Sequence, residues 1–184
     1  MKKLLIPIIL ALFSLNAMSQ NDTETFPEKI SIENQELQLK GTGTRVKMWM
    51  DMYILGLFIL DADQEANIIV SNDESAMIRL SIISGLITAE KMDKAIRDGF
   101  EKSTQGKPET IQTEIDAFLN VFKQGVEKKD VFQFAYNPEF GTTILKNGKK
   151  LASIKGHDFK KALWGIWLGD DPVDKRLKAE LLEN

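Results

Sequence analysis

A glycine-punctuated segment that ends on a charged residue is the feature that most constrains this chain. Residues 39–45 read Leu-Lys-Gly-Thr-Gly-Thr-Arg, and a mostly apolar run follows from Val46 to Leu60. The pattern predicts a turn closed by Arg45 and then one long strand, in which nearly all even-numbered positions are apolar and form a core face. A guanidinium keeps its charge and offers five donors in a planar fork that fits a carboxylate. Beside so much apolar surface, Arg45 must be paired, extend to solvent, or await an anionic ligand.

The first residues have the pattern of an export signal. Lys2-Lys3 precedes an apolar stretch at 4–13 that is too short to span a bilayer, and small residues at Ala17 and Ser19 fit a signal-peptidase site. We therefore predict a periplasmic or secreted protein with no integral membrane span in the mature chain. The predicted parts are a signal peptide (1–19), a flexible lead-in (20–26) and a single domain (27–184).

Composition excludes several kinds of chemistry. Without the predicted signal peptide, 22 basic residues stand against 27 acidic ones, a net charge of −5. This balance argues against nucleic acid or an anionic lipid surface as the main partner. The chain has no cysteine and one histidine, His157, so a thiol nucleophile and a zinc site of several His or Cys ligands are excluded. We expect no metal and no cofactor.

The order of strand-like and helix-like patterns predicts an α+β fold, because strands, helices, strands and helices follow one another in blocks. Trp164 and Trp167 are expected to be core and sheet-covering residues of the late helix; the alternative is that one of them roofs the cleft. Short strands are predicted at 30–32, 37–39, 76–83 and 131–136, with a hairpin turn at Asn147-Gly148. Helices are predicted to begin after Thr88, at Pro108, after Asp158 and after Asp171, and a short one after Asp61.

Three segments together resemble the chalcone isomerase-like family. They are Gly41-Thr-Gly-Thr-Arg45, Tyr53-Ile-Leu-Gly-Leu-Phe58, and Ala162 to Val173 with its Gly169 and Pro172. The resemblance covers about residues 26–184. It implies an open-faced β-sandwich, in which a large antiparallel sheet carries helices on one face and a ligand cleft lies between them.

The resemblance also implies site residues. In the plant enzymes of this family an arginine stabilises a substrate phenolate during an intramolecular ring closure, and Arg45 matches that arginine. Tyr53 occupies the position of a threonine on the next strand. Lys91 falls at the position of a tyrosine, Asp98 at that of an asparagine, and Ile166 at that of a late-helix hydroxyl residue. Only the arginine of the plant set is therefore present.

Other members of the family hold a fatty-acid carboxylate with the arginine and a tyrosine, and Arg45 with Tyr53 is similar to that arrangement. A guanidinium and a phenol can share one carboxylate, while methionine and aliphatic side chains line a slot for the tail. On one unbroken strand these two residues would stand about 26 Å apart. We therefore predict a bend, bulge or turn between Met48 and Asp51.

Three functions follow, and the sequence leaves all of them open. The first is an exported, non-catalytic binding protein for a small amphipathic carboxylate or phenolic ligand, with Arg45, Tyr53, Lys91, Asp98 and Ile166 as candidate binding residues. The second is an intramolecular lyase or isomerase in which Arg45 and Tyr53 are catalytic. In the third, Arg45 pairs with an acid such as Asp51 or Glu65 inside the fold, and the function lies in an unknown protein partner.

Overall fold

A computed structural model describes residues 25–183, so the predicted signal peptide and most of the predicted lead-in lie outside the described residues. Within this range seven strands form one antiparallel sheet in chain order. The strands are β1 Lys29–Ile32, β2 Gln35–Lys47, β3 Met50–Ile59, β4 Ala76–Ile82, β5 Val131–Asn137, β6 Gly141–Lys146 and β7 Lys149–Ile154. The helices are α1 Ala66–Ser71, α2 Ala89–Ser103, α3 Gln112–Phe122, α4 His157–Leu168 and α5 Lys175–Leu182, with a 3-10 turn at Pro108–Ile111.

The main core lies between the sheet and the helices, as the predicted open-faced α+β architecture requires. Trp164, Phe118 and Phe134 are buried there, and the prediction that Trp164 and Trp167 are core residues is confirmed. A smaller apolar cluster lies on the opposite face of the sheet. It contains Phe58 and Met77, and Phe26 packs against it. None of the helices among residues 25–183 is long and apolar enough to cross a membrane.

The predicted single strand from residue 46 to residue 60 is wrong, because the chain reverses at Met48-Trp49 into the β2–β3 hairpin. The predicted core face is wrong as well. Leu55 and Leu57 enter the main core, whereas Met48 and Met50 are exposed. Alternation could not identify the buried face, since apolar clusters cover both sides of β3 and its sequence is apolar at consecutive positions.

The predicted glycine turn at residues 39–45 is also wrong, because these residues belong to β2. The glycines serve a close approach of α5 instead. A Cβ on Gly41 would lie 2.7 Å from the carbonyl oxygen of Leu181, and one on Gly43 would lie 2.7 Å from Leu177 Cδ1. Small residues on β2 therefore allow the last helix to pack directly on the strand that carries Arg45.

Helix starts were predicted with mixed success. Thr88 caps α2 by accepting a hydrogen bond from the backbone of Lys91, as predicted. The cap of α5 is Asp174 rather than Asp171, and α4 begins at His157, with Asp158 inside its first turn. Phe26 was assigned to the lead-in, but its ring packs on the sheet. The ring fills the space that a Cβ on Gly56 would need, and the guanidinium of Arg79 lies over it.

Candidate functional site

Arg45 and Tyr53 are directly opposed residues of the β2–β3 hairpin. Directly opposed side chains have Cβ atoms about 5 Å apart, so the turn at Met48-Trp49 brings together two residues that an unbroken strand would separate. The predicted break between Met48 and Asp51 is therefore present. The register of the ladder shifts just after Arg45, which makes the hairpin irregular beside the pair.

Arg45 is ion-paired with Asp174. Its Nη1 donates to Asp174 Oδ2 at 2.8 Å and to the carbonyl oxygen of Val46 at 2.6 Å. Their side chains are 20% and 16% exposed, so the pair is largely but not fully removed from water. The expected pairing of Arg45 with an acid of the fold is therefore confirmed, but its partner is Asp174 and not Asp51 or Glu65, which are both exposed.

Asp174 holds Arg45 and α5 at once. While Oδ2 accepts from Arg45, Oδ1 accepts from the backbone N–H groups of Arg176 at 2.9 Å and Leu177 at 3.3 Å. These are the N–H groups that the first turn of a helix leaves without intrahelical partners. The ion pair is thereby fixed in place by the helix that packs on β2.

Tyr53 is half-buried, and its hydroxyl accepts a hydrogen bond from Trp167 Nε1 at 3.2 Å. Burial raises the pKa of the Tyr53 phenol, and the Trp167 bond and the nearby Arg45 charge oppose that rise only in part. The phenol therefore keeps its proton at neutral pH. With the oxygen accepting from Trp167, that proton is available for donation to an anion.

A cavity of about 380 Å³ opens between the β2–β3 hairpin and α2. Four of the predicted site residues line it: Arg45, Tyr53, Lys91 and Asp98. Its basic lining residues are Arg45, Lys47, Lys91, Lys94 and Lys102, whereas Asp98 is its one acidic lining residue. The cavity therefore has a positive lining in a chain whose net charge is negative.

Behind this cavity lies an apolar pocket of about 50 Å³, to which Ile166, the fifth predicted site residue, contributes. The pocket lies under α2, α3 and α4 and is closed by Phe118, Phe134 and Trp167. The residues that line both spaces, and so stand between them, are Tyr53, Met92, Ala95 and Val173. A cavity with a basic rim thus adjoins a narrow apolar pocket.

Lys91 and Asp98 are at the mouth, but each is engaged within the protein. Lys91 Nζ donates to the carbonyl oxygen of Leu86 at 2.8 Å, and Asp98 pairs with Lys94 at 3.0 Å on the surface of α2. Both side chains are exposed. Both side chains lie at the rim of the cavity. Of the polar residues that line it, only Arg45 and Tyr53 are partly buried.

The sequence interpretation missed Asp174 and Lys47 as parts of the site, and it did not identify the hydrogen bond of Trp167 to Tyr53. Asp174 was assigned to the first turn of a helix capped by Asp171. One signal could have identified Trp167, since a buried indole N–H usually finds an acceptor. Among residues 25–183 no cluster of three or more His, Asp or Glu could hold a metal ion.

Comparisons with known proteins agree with this architecture. A crystal structure of a fatty-acid binding protein of Arabidopsis thaliana superposes with a TM-score of 0.66 at 16% sequence identity, covering 85% of this chain and 90% of the other. A search of curated protein sequences finds no match. The family model described as chalcone isomerase-like matches residues 19–183. Since this match spans nearly the whole sequence, the chain belongs to the chalcone isomerase-like family.

Proposed function

We propose that this protein is an exported, non-catalytic binding protein for a small amphipathic anion such as a fatty acid or an aromatic acid. The observation that supports this most directly is that the opposed residues Arg45 and Tyr53 both line the basic cavity, and that Tyr53 also lines the apolar pocket beside it. A ligand with a charged head and an apolar tail has the same division of polarity. The Arabidopsis thaliana protein of similar fold is named for fatty-acid binding, which agrees with the proposal.

The ion pair of Arg45 limits how the head group binds. Because Nη1 already donates to Asp174 and Val46, a ligand carboxylate approaches the guanidinium from the cavity side and meets its remaining donors. The Tyr53 hydroxyl supplies a second donor from the opposed strand. Asp174 repels the ligand charge, and the lysines of the cavity lining offset that repulsion.

Size also fits the proposal. Ligand cavities commonly have volumes of about 300–1,000 Å³, and this cavity of about 380 Å³ lies at the small end of that range. The inner pocket of about 50 Å³ takes only the end of a tail. Met52 and Met92 line the cavity, and their flexible thioether side chains allow it to adapt to different tails.

Binding is preferred over an intramolecular lyase or isomerase because of the groups around Arg45. By the family resemblance, a plant-type enzyme needs hydroxyl and amide groups where this chain has Lys91, Asp98 and Ile166. Lys91 and Asp98 are tied to other partners, and Ile166 lines the apolar pocket. Turnover of chalcone-like substrates that disappears in Arg45→Ala would favour the enzyme instead.

The test is to extract the purified protein with solvent, identify any ligand by mass spectrometry, and titrate fatty acids against Arg45→Ala and Tyr53→Phe. We expect both variants to bind at least about tenfold more weakly, because each removes a donor to a charged group. Arg176→Ala is the matched control, since Arg176 donates to the Thr44 carbonyl on the same strand but does not line the cavity. No extracted ligand together with no fatty-acid binding by the wild type would contradict the proposal.

A further inference from the structure

The tip of the β2–β3 hairpin displays large apolar side chains to solvent. Trp49 is 94% exposed, Met48 71% and Met50 42%. Single exposed apolar residues are ordinary on protein surfaces, but three in succession at a hairpin tip form a patch that indicates an interaction site. Leu86, 47% exposed, adds to the patch, because it follows β4 at the same end of the sheet. We call Met48, Trp49, Met50 and Leu86 the tip patch.

The backbone of this hairpin is unfavourable for the residues it carries. Met48 and Trp49 both have positive φ, 50° and 64°, a conformation that residues with side chains adopt rarely. The β6–β7 hairpin has two residues in the same region but uses Asn147-Gly148, the usual pair for such a turn. The turn of the β2–β3 hairpin is therefore less stable than one with Asn-Gly would be, and it carries methionine and tryptophan at its tip. Strain of this kind is found at functional positions.

The end of the sheet that carries the tip patch is rich in basic residues. In an antiparallel sheet whose strands follow chain order, the β2–β3 and β6–β7 turns and the connections at 83–88 and 123–130 lie at one end. The exposed lysines of this end are Lys47, Lys91, Lys123, Lys128, Lys129, Lys149 and Lys150. Its exposed acids are fewer: Asp51, Glu90 and Glu127. This end is therefore apolar and positively charged, although the chain as a whole is acidic.

We propose that the tip patch docks on the surface of a lipid bilayer that carries anionic headgroups. Tryptophan is favoured at the boundary between headgroups and acyl chains, and methionine can enter the apolar layer beneath. The exposed lysines of the same end then contact lipid phosphates. The net charge of the whole chain predicts no such partner, but binding depends on the charge of the face that approaches the membrane, within about 10 Å of it.

The tip patch also adjoins the candidate ligand cavity. Lys47 and Lys91 line that cavity and belong to the basic end, and Met52, two residues after Met50, lines it too. Docking through Trp49 thus brings the cavity mouth close to the membrane surface. If the proposed ligand binding is also correct, an amphipathic anion could pass between bilayer and cavity without crossing water. Docking itself does not depend on a ligand.

Tryptophan fluorescence tests this directly in the purified chain. The protein has three tryptophans, and Trp164 and Trp167 are buried, so the solvent-exposed signal belongs to Trp49. We expect vesicles of phosphatidylcholine with phosphatidylglycerol to shift the emission to shorter wavelength, and brominated acyl chains to quench it. Vesicles of phosphatidylcholine alone should do so much less, because each lysine near an anionic surface strengthens binding by about fivefold.

Sedimentation with the same vesicles compares variants without added fatty acid, so its outcome is separate from that of the ligand assay. Trp49→Ser should weaken binding by about tenfold or more. Phe140→Ser, which removes a 46% exposed aromatic ring at the opposite end of the sheet, should not. Lys149→Glu should weaken binding, whereas Lys155→Glu, beyond the other end of β7, should leave it unchanged.

The variant with both Met48→Asn and Trp49→Gly separates docking from folding. These residues suit the turn, so the melting temperature should rise while vesicle binding is lost. Three results would overturn the proposal: no spectral shift of the wild type with anionic vesicles, equal binding by Trp49→Ser and Phe140→Ser, or equal binding to neutral and anionic vesicles. A tip patch that instead contacts a protein would give the first of these.

Discussion

Asp174 divides its two carboxylate oxygens between the guanidinium of Arg45 and the first turn of α5. One side chain therefore both caps a helix and sets the charge of the candidate ligand site. The two roles rest on different atoms, so substitutions can separate them. An asparagine at this position keeps an oxygen for capping but carries no charge.

We expect Asp174→Asn to bind carboxylates more tightly than the wild type, because it removes the negative charge beside Arg45 while the cap persists. Several-fold tighter binding is the expected size, since a charge partly exposed to water contributes on the order of 1 kcal/mol. Titration with a fatty acid in low salt measures the change. Unchanged or weaker binding by a folded Asp174→Asn protein would show that Arg45 does not contact the ligand head group.

Asp174→Ala tests the other role of the same residue. It loses the cap as well as the charge, so we expect it to be less stable than Asp174→Asn by about 1 kcal/mol. Urea denaturation of the two variants measures this difference. Equal free energies of unfolding would mean that the two Oδ1 hydrogen bonds add nothing to the stability of α5.

The length of tail that the protein accepts should depend on Ile166. This side chain lines the inner pocket and touches Gly99 of α2, where an added Cβ would lie 3.0 Å from Ile166 Cγ2. Ile166→Val removes one methylene from the pocket wall at a cost of about 0.5–1.5 kcal/mol. We expect the variant to shift the preferred fatty acid toward longer chains in a titration series.

Ile144→Val is the matched control for this shift. Ile144 is equally part of the main core and fully buried, but it does not line the inner pocket. Its loss of stability should be similar, and its preference for chain length should match that of the wild type. The same shift in both variants would show that a general loosening of the core, rather than the pocket wall, sets the length.

Packing of α5 on β2 should be sensitive to Gly41. In Gly41→Ala the added Cβ would lie within 3 Å of the backbone oxygens of Glu180, Leu181 and Glu183, which cannot rotate away as a side chain can. We expect a loss of about 1–3 kcal/mol in urea denaturation. Gly85→Ala is the control, because its Cβ would have no neighbour within 4 Å. If both variants lose the same stability, α5 does not need the glycine.

The sequence was informative where local pattern and tertiary structure agree. Thr88 and the Asn147-Gly148 turn have residues suited to their conformations, and both were placed correctly. The family resemblance has Arg45 and Tyr53 share one carboxylate, and from their distance on an unbroken strand a bend, bulge or turn between Met48 and Asp51 could be predicted. That the break is a tight hairpin turn could not be predicted, because Met48-Trp49 contains no turn-forming residue and continues an apolar strand pattern.

The errors came from contacts between residues distant in the chain. Gly41 and Gly43 indicated a turn, whereas they allow α5 to approach β2. Nothing local distinguishes these two uses of glycine. Asp171 and Asp174 both suit a helix start near Pro172, and the helix begins after Asp174, the acid that also pairs with Arg45, 129 residues away in the chain. The ion pair at the centre of the site was therefore beyond local pattern.

Lys160 gives the fold a specific dependence on pH. Its side chain is buried, and Nζ donates to the carbonyl oxygens of Ile69, Val70 and Asn72 at the end of α1. Burial lowers the pKa of Lys160 to about 8, against the opposing charges of Asp73 and Glu74. The unfolded chain has a lysine pKa of about 10.4.

Below pH 8 Lys160 carries its proton in both the folded and the unfolded chain. Between about pH 8 and 10.4 the unfolded chain binds more protons at this residue than the folded one, so the free energy of unfolding should rise with pH there. Above about pH 10 it should fall again, because burial raises the pKa of Tyr136 in the folded state. Urea denaturation across this range measures the curve. Lys160→Met should remove the rise, while Lys161→Met, which changes an exposed neighbour paired with Asp158, should retain it. A rise that persists in Lys160→Met would assign the titration to another group.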